Sequence, residues 1–420
     1  MNSLRKGVPP MAKGRSPLII IFITILIDAI GWSMIVPVLP LYADRYGTSE
    51  LVIGLLMSAY PIVQFVFAPI LGKLSDRVGR RPVLLVSLIG TAVGFGIMGL
   101  APTLAWLFVG RIIDGITGGN ISTAQAYIAD VTPPEQRSRG MGLVGAAFGL
   151  GYIFGPAICG VMGPISLAAP FYFAAGLAAA NAIALYFLLP ESLSSEHRTK
   201  AGDRASIAQV FEEGGNWPLK AILMTNFFVI VAFTMLTTSY GLFAKHRFGF
   251  DVRHLGYMFA YVGLLGTVIQ AGMIGRLSKL FGDKAVAITG TIVFMVSIFM
   301  LPVGSTITML VIGTTGIAMG YNLILPTLNA LASKSVSAAW QGRVLGVLAS
   351  STSLARIIGP ILAGWLLGGD AVHGIEHYGR TPFWTSGVIM FVALGLALTV
   401  RSERTRAKQE LTKKEAVEVT

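Results

Sequence analysis

Gly72-Lys73-Leu74-Ser75-Asp76-Arg77-Val78-Gly79-Arg80-Arg81-Pro82 is a dense charged turn between two long apolar runs, Leu51 to Leu71 and Val83 to Ala101. Each run is about as long as a helix needs to cross a bilayer, roughly 20 residues. Two such helices joined by a short, basic, glycine-containing hairpin describe a membrane protein. Composition agrees: of 420 residues, 54% are hydrophobic and 12% charged, about half the charge of an average soluble chain. Backbone groups facing lipid must be satisfied within the chain, which leaves helices or a closed barrel. Continuous apolar runs without strict alternation select helices.

Working outward from the hairpin, twelve spans are predicted: 18–40, 51–71, 83–101, 104–129, 140–163, 165–189, 219–244, 255–275, 285–304, 306–332, 344–367 and 382–400. The expected organisation is an N-terminal segment 1–17, a six-helix half 18–191, a linker 192–217, a second six-helix half 218–400 and a tail 401–420. The basic N-terminus precedes a long apolar run with no small-residue cleavage site, so that run reads as a retained helix.

Orientation follows from the bases. Of the 32 Lys and Arg, Arg45, Lys245, Arg247, Arg253 and Arg380 fall in one set of loops, and Arg111 and Arg356 fall inside spans. The rest flank the membrane on the side of the termini. Positive charge marks the cytoplasmic side, so both termini are expected there, in a multi-pass cell-membrane protein (a bacterial inner or plasma membrane). The net charge of +12 thus reads as topology, not nucleic-acid binding, because no soluble domain exists to carry a nucleic-acid site. A single cysteine, Cys159, excludes an intramolecular disulfide and a multi-cysteine metal site.

The halves repeat. Gly72-Lys-Leu-Ser with Gly79 recurs as Gly275-Arg-Leu-Ser with Gly282, and Gly155-Pro156 with Gly160 recurs as Gly359-Pro360 with Gly364. Four stretches carry a family resemblance: the hairpin; Arg111-Ile-Ile-Asp-Gly-Ile-Thr-Gly-Gly119; Gly145-Ala-Ala-Phe-Gly-Leu-Gly-Tyr-Ile-Phe-Gly-Pro-Ala-Ile-Cys-Gly160; and Asp28-Ala-Ile-Gly with Pro37-Val-Leu-Pro40. Together they resemble the major facilitator superfamily, and within it the twelve-helix drug:proton antiporters. With Pro190-Glu191-Ser192, the wording is most similar to tetracycline exporters. The resemblance implies an all-α fold of two six-helix pseudo-repeats, acting as a monomer in the lipid bilayer. It also implies proton-coupled export of amphipathic, cationic small molecules by alternating access. Export of an endogenous metabolite, sugar or lipid-like molecule, or a non-transporting sensor, are the competing readings. Tetracycline exporters carry an acid in span three and others in the second half, whereas spans three and seven to twelve here contain no Asp or Glu.

Four charges lie well inside spans: Asp28, Arg111, Asp114 and Arg356. At about 1.5 Å per residue, Asp28 and Asp114 sit roughly 15 Å deep, near the midplane. Charges there are costly and must face a cavity or a partner. Two acids and two bases suggest a paired cluster. Asp28, Asp114 and Arg111 are candidates for proton coupling and Arg356 for charge pairing in the cavity; static ion pairs that fix helix packing are the competing reading. By the repeat offset the second-half equivalents of Asp28, Arg111 and Asp114 are Val231, Thr314 and Ile317, so proton work is expected in the first half. Asn226, Tyr240, Tyr261, Gln270, Tyr321, Asn322 and Asn329 are candidate substrate contacts, since aromatic walls hold lipophilic cations; interhelical hydrogen bonding is their other reading.

In the hairpin, the resemblance implies a cytoplasmic latch between the halves built from Gly72, Asp76, Arg77, Gly79, Arg80 and Arg81, with Arg80 able to reach Asp130. Asp76 would meet the positive end of a neighbouring helix. Positive-charge anchoring of topology is the alternative. Gly145, Gly149, Gly155, Pro156 and Gly160 are candidates for close packing and a hinge. No phosphate loop with Lys, nucleophile–base pair or metal cluster is present, so the chain is expected to be no enzyme and to need no cofactor or metal.

Overall fold

The computed structural model describes residues 17–133, 136–193, 217–336 and 340–400. The expected tail, and nearly all of the expected N-terminal segment and linker, lie outside them. The first half comprises α1 (Pro17–Asp44), α2 (Glu50–Val78), α3 (Arg80–Gly99), α4 (Leu104–Thr117), α5 (Asn120–Val131), α6 (Arg137–Met162) and α7 (Ala169–Leu188). The second comprises α8 (Trp217–Phe248), α9 (Val252–Val268), a π-helical turn (Ile269–Met273), α10 (Ile274–Phe281), α11 (Asp283–Met300), α12 (Ile307–Lys334), α13 (Gln341–Ala371) and α14 (Arg380–Thr399). Eleven helical stretches among the described residues are long and apolar enough to cross a membrane. Residues 104–129 are the exception. The single helix expected there is two, α4 and α5, parted at Gly118-Gly119.

The break has a physical cause. A Cβ on Gly118 would stand 2.7 Å from the Tyr60 hydroxyl, and one on Gly119 would stand 2.7 Å from Leu71. Glycine lets α2 come that close. An interrupted membrane helix leaves carbonyls without intrahelical donors, and Gln64 supplies one, donating from Nε2 to the Gly118 carbonyl at 2.6 Å.

The halves meet along two seams, α2 with α13 and α6 with α9, and the seams have equivalent contacts. A Cβ on Gly54 would lie 2.3 Å from the Pro360 carbonyl oxygen, and one on Gly256 would lie 2.7 Å from that of Pro156. Gly364 abuts Glu50 and Leu51, and Gly160 abuts Gly256 and Arg253. Ser58 donates to the Ile357 carbonyl at 2.8 Å and Thr267 to that of Gly149 at 3.3 Å. On the side away from the termini, Lys245 pairs with Asp44 at 2.5 Å. There one apolar cluster joins Leu39, Tyr42 and Leu56 of the first half to Leu236, Tyr240 and Phe243 of the second. Continuing the same helix faces toward the termini, Cβ positions on Gly145, Gly142, Gly346 and Gly342 meet nothing within 4 Å. The seams therefore close away from the termini and part toward them, and the π-turn lies where the α6–α9 seam parts.

Within each half, the contact between the first and fifth spans repeats. Ser33 donates to the Gly151 carbonyl at 2.8 Å, and Thr234 lies 3.4 Å from that of Ala355. This register makes Val229 the counterpart of Asp28, two residues from the Val231 expected from the sequence offset, because the first and seventh spans align two residues differently from the others. Against the α3–α4 pair the offset holds: Gly110 packs on Met98 as Gly313 packs on Leu301, which leaves Thr314 and Ile317 opposite Arg111 and Asp114.

Candidate functional site: a cavity between the halves

A cavity of about 280 Å³ lies where the seams part, lined from both halves. The first half contributes Trp32, Tyr60, Gln64, Arg111 and Tyr152; the second contributes Phe233, Tyr240, Gln270, Tyr321, Asn322 and Arg356. Pockets of this kind, mostly apolar with a few convergent polar groups, are the usual form of small-molecule sites. The aromatic walls are ordered by mutual contact. Phe233 and Tyr321 stack with centroids 3.6 Å apart, and Trp32 meets Tyr152 edge-on at 5.6 Å.

The four membrane charges do not form the expected cluster of ion pairs. Arg111 and Asp114 are the pair the described residues show, and it is loose, with Nη1 3.9 Å from Oδ2. That exceeds hydrogen-bond distance. The Asp114 carboxylate instead accepts from Thr91 at 3.0 Å. The Arg111 guanidinium lies over the Tyr60 ring at 4.8 Å, and its Nε and Nη1 have no acceptor although the side chain is 3% exposed. Arg356, expected to pair with an acid, lies over the Trp32 ring at 5.3 Å. Its neighbours on α1 and α6 are rings, so a cation–π contact replaces the ion pair. Asp28 is half-buried one turn from Trp32 and accepts from Asn120 Nδ2 at 2.7 Å. Arg111 and Arg356 share the cavity wall, with Asp114 one turn from Arg111 and Asp28 one turn from Trp32, so the four remain one neighbourhood.

Of the other candidates, Tyr240, Gln270, Tyr321 and Asn322 line the cavity. Gln270 sits in the π-turn and donates to Asn322 at 2.7 Å, while the Tyr240 and Thr314 hydroxyls are 2.9 Å apart. Asn226, Tyr261 and Asn329 lie off the lining. Asn226 is buried against Thr352 at 3.0 Å, Tyr261 reaches Thr315 on an exposed face, and Asn329 is exposed. Their polarity serves helix contacts or the surface. Pro156 and Gly149 line the cavity, and Gly155 gives way to Ser33.

The hairpin forms a compact polar knot at the end of the first half. Arg80 bridges two acids, with Nη1 2.5 Å from Asp76 and Nε 3.2 Å from Asp130. Gly72 accepts from Ser75, which accepts from Arg80; Arg77 is exposed, and the Arg81 guanidinium donates to the Tyr186 carbonyl. The start of α3 is capped from a distance, by Glu191. Its carboxylate accepts from the backbone N–H groups of Arg80 at 2.9 Å and Arg81 at 3.2 Å. Gly79, at φ 112°, aims those groups at it. Sequence reading missed Glu191, Asn120, Trp32 and Tyr60. The available signals were a helix start without a Ser, Thr, Asp or Asn cap at Gly79, an amide directly after a double glycine, and an aromatic one turn from a membrane acid.

Comparison with known proteins agrees with this architecture. The family model described as Major Facilitator Superfamily matches residues 21–274 and 222–420. The class C tetracycline resistance protein of Escherichia coli is 36% identical over 359 residues, covering 83% of this chain and 89% of that protein. Multidrug resistance protein 2 of Bacillus subtilis (strain 168) is 30% identical over 402 residues, covering 93% and 96%. Among solved structures, a bacterial homologue of the human lysosomal transporter Spinster, inward-facing and occupied, superposes with a TM-score of 0.76. Its 16% identity spans 92% of this chain and 97% of that one. The nucleoside transporter NupG gives 0.77 at 13% identity, over 92% and 100%. With both halves matched and the helical architecture shared, this chain belongs to the Major Facilitator Superfamily and is a membrane transporter, not an enzyme.

Proposed function

We propose that this transporter exports amphipathic small molecules in exchange for protons, by alternating access, as a single chain with both termini in the cytoplasm. The carrying observation is Asp28, a half-buried carboxylate inside the first span, one turn from the cavity wall at Trp32, hydrogen-bonded by an amide. No cation pairs with it among the described residues. An acid held by a neutral donor can exist with or without its proton, whereas one locked to a guanidinium resists protonation. The parted seams support the transport half of the reading, since they leave the cavity reachable from the side of the termini and closed on the other. The tetracycline and multidrug resistance proteins it resembles support the drug-like class of cargo. The hairpin knot is the latch in this reading: Asp76, Arg80 and Asp130 hold the α2–α3 turn in the shape that meets the other half when the cavity closes toward the termini.

The test is everted membrane vesicles carrying a pH-sensitive dye, energised and then given tetracycline. Substrate-dependent proton release, absent from vesicles with Asp28→Asn at equal expression, is expected. Equal proton release from both preparations overturns the coupling role.

A further inference from the structure

We propose that the cavity recognises an acidic oxygen on an aromatic substrate, held between the guanidinium groups of Arg111 and Arg356. The proposal deepens the export reading above and rests on it for the direction of transport alone. Its starting point is the charge of the lining: the ionised side chains on the cavity wall are these two arginines, and no carboxylate is among them. Asp114, the acid beside Arg111, is committed to Thr91 and stands beyond hydrogen-bond reach.

Arg111 supplies a second, independent observation. It is 3% exposed, it faces the cavity, and two of its N–H-bearing nitrogens have no acceptor. Buried polar groups are almost always satisfied, and an exception calls for a missing partner. A guanidinium is acceptor-seeking only; it cannot be satisfied by a donor or a cation. Cation–π contacts with Tyr60 and Trp32 hold the two guanidinium groups at the wall. A guanidinium edge can grip two oxygens at once, and on Arg111 two edge nitrogens, Nε and Nη1, are without an acceptor.

The remaining wall defines the rest of the ligand. The stacked Phe233–Tyr321 pair and Tyr152 present flat apolar surface, suited to a planar aromatic body. The class is therefore aromatic carboxylates, phenolates or enolates. A purely cationic amphiphile, the substrate expected from the sequence, would bring its charge to two like charges, which disfavours it.

The experiment measures binding to the full-length protein in nanodiscs at neutral pH without a proton gradient. Three probes share one body: 4-bromobenzoate, 4-bromobenzamide and 4-bromobenzylammonium. Bromine quenches tryptophan fluorescence, and the quench lost in Trp32→Phe reports the cavity. The benzoate is expected to bind about tenfold to a hundredfold more tightly than the amide, the range of a charge-assisted hydrogen-bond pair, with the ammonium weakest. Arg356→Gln and Arg111→Gln should each erase most of that preference. Arg356→Lys should retain part of it. Wild-type protein that ranks the ammonium first, or holds amide and benzoate equally, overturns the proposal even if the glutamine variants fail to fold. A preference surviving both substitutions overturns it too. Anion binding without proton flux would sink the export reading alone, and proton flux driven only by cations would sink this one alone.

Discussion

Glu191 and Gly79 together fix the hairpin, and their coupling can be measured. Glu191 Oε1 accepts from the N–H of Arg80, Ser192 and Leu193, and Oε2 from that of Arg81. Glu191→Ala removes the cap of α3, worth about 0.5–2 kcal/mol, and a negative charge at a helix N-terminus, worth about 0.3–1 kcal/mol. A loss of about 1–3 kcal/mol is expected. Gly79→Ala acts twice. At φ 112° and ψ 159° the backbone is in a region all but reserved for glycine, costing about 1–3 kcal/mol. The new Cβ would also stand 2.3 Å from Glu191 Oε2, so the carboxylate must swing away and lose part of its bonds. In the double variant the clash is gone and only backbone strain and the lost cap remain. The two changes should therefore cost about 1–2 kcal/mol less together than their sum. Cys159 is buried and is the chain's only cysteine, so a thiol-reactive dye reports unfolding cleanly in a denaturant titration of detergent-purified protein. Single losses that add within about 0.5 kcal/mol, or a Glu191→Ala variant as stable as wild type, would refute the cap.

Asp28→Asn should leave the protein folded and remove proton-coupled flux, with Asn120→Ala giving a smaller loss, read by the vesicle dye assay. Asp76→Asn should slow transport without reordering substrates, because its partner Arg80 belongs to the hairpin and not the cavity; initial rates for three unlike substrates check this. Gly256→Ala should destabilise by about 1–3 kcal/mol through overpacking, since its Cβ would stand 2.3 Å from the Gly160 Cα, whereas Gly145→Ala, open in this state, should be nearly silent. The same thiol titration separates the two.

The spans, their pairing into halves and the presence of four charges within them were readable because membrane helices are written as long apolar runs, in which a single Asp or Arg stands out. What was not readable concerns single atoms. That Arg356 rests on Trp32 and not on an acid depends on which face of α1 meets α13. The break at Gly118-Gly119 was hidden because two glycines in an apolar run spell close packing as readily as an end, and the Tyr60 contact that decides it comes from another helix. Asn226 and Gln270 look alike in sequence; one is spent on Thr352 and the other faces the cavity, a difference set by helix rotation. Glu191 is 110 residues or more from the N–H groups it caps, beyond any local pattern.

The placement of charge against the placement of close contacts suggests how the halves divide the work. The seams are built twice, with Gly54, Pro360 and Gly364 answering to Gly256, Pro156 and Gly160. Each seam pairs close backbone contact with one side-chain hydrogen bond, from Ser58 in one and Thr267 in the other, so the two are alike in build as pseudo-symmetric halves require. The chemistry is built once. Opposite Asp28, Arg111 and Asp114 stand Val229, Thr314 and Ile317, while the second half returns one charge, Arg356, at the position answering to Tyr152. A motion that parts the halves thus separates Arg356 from Arg111, the two groups proposed to share the substrate's acidic oxygen, while Asp28 and Asn120 travel together in the first half. If Asp28 carries the exchanged proton as proposed, it stays whole in the first half while the proposed ligand site is shared between the halves. Asp28 lies one helical turn from Trp32 on the cavity wall, so that turn of α1 is where the proposed proton and substrate steps would meet.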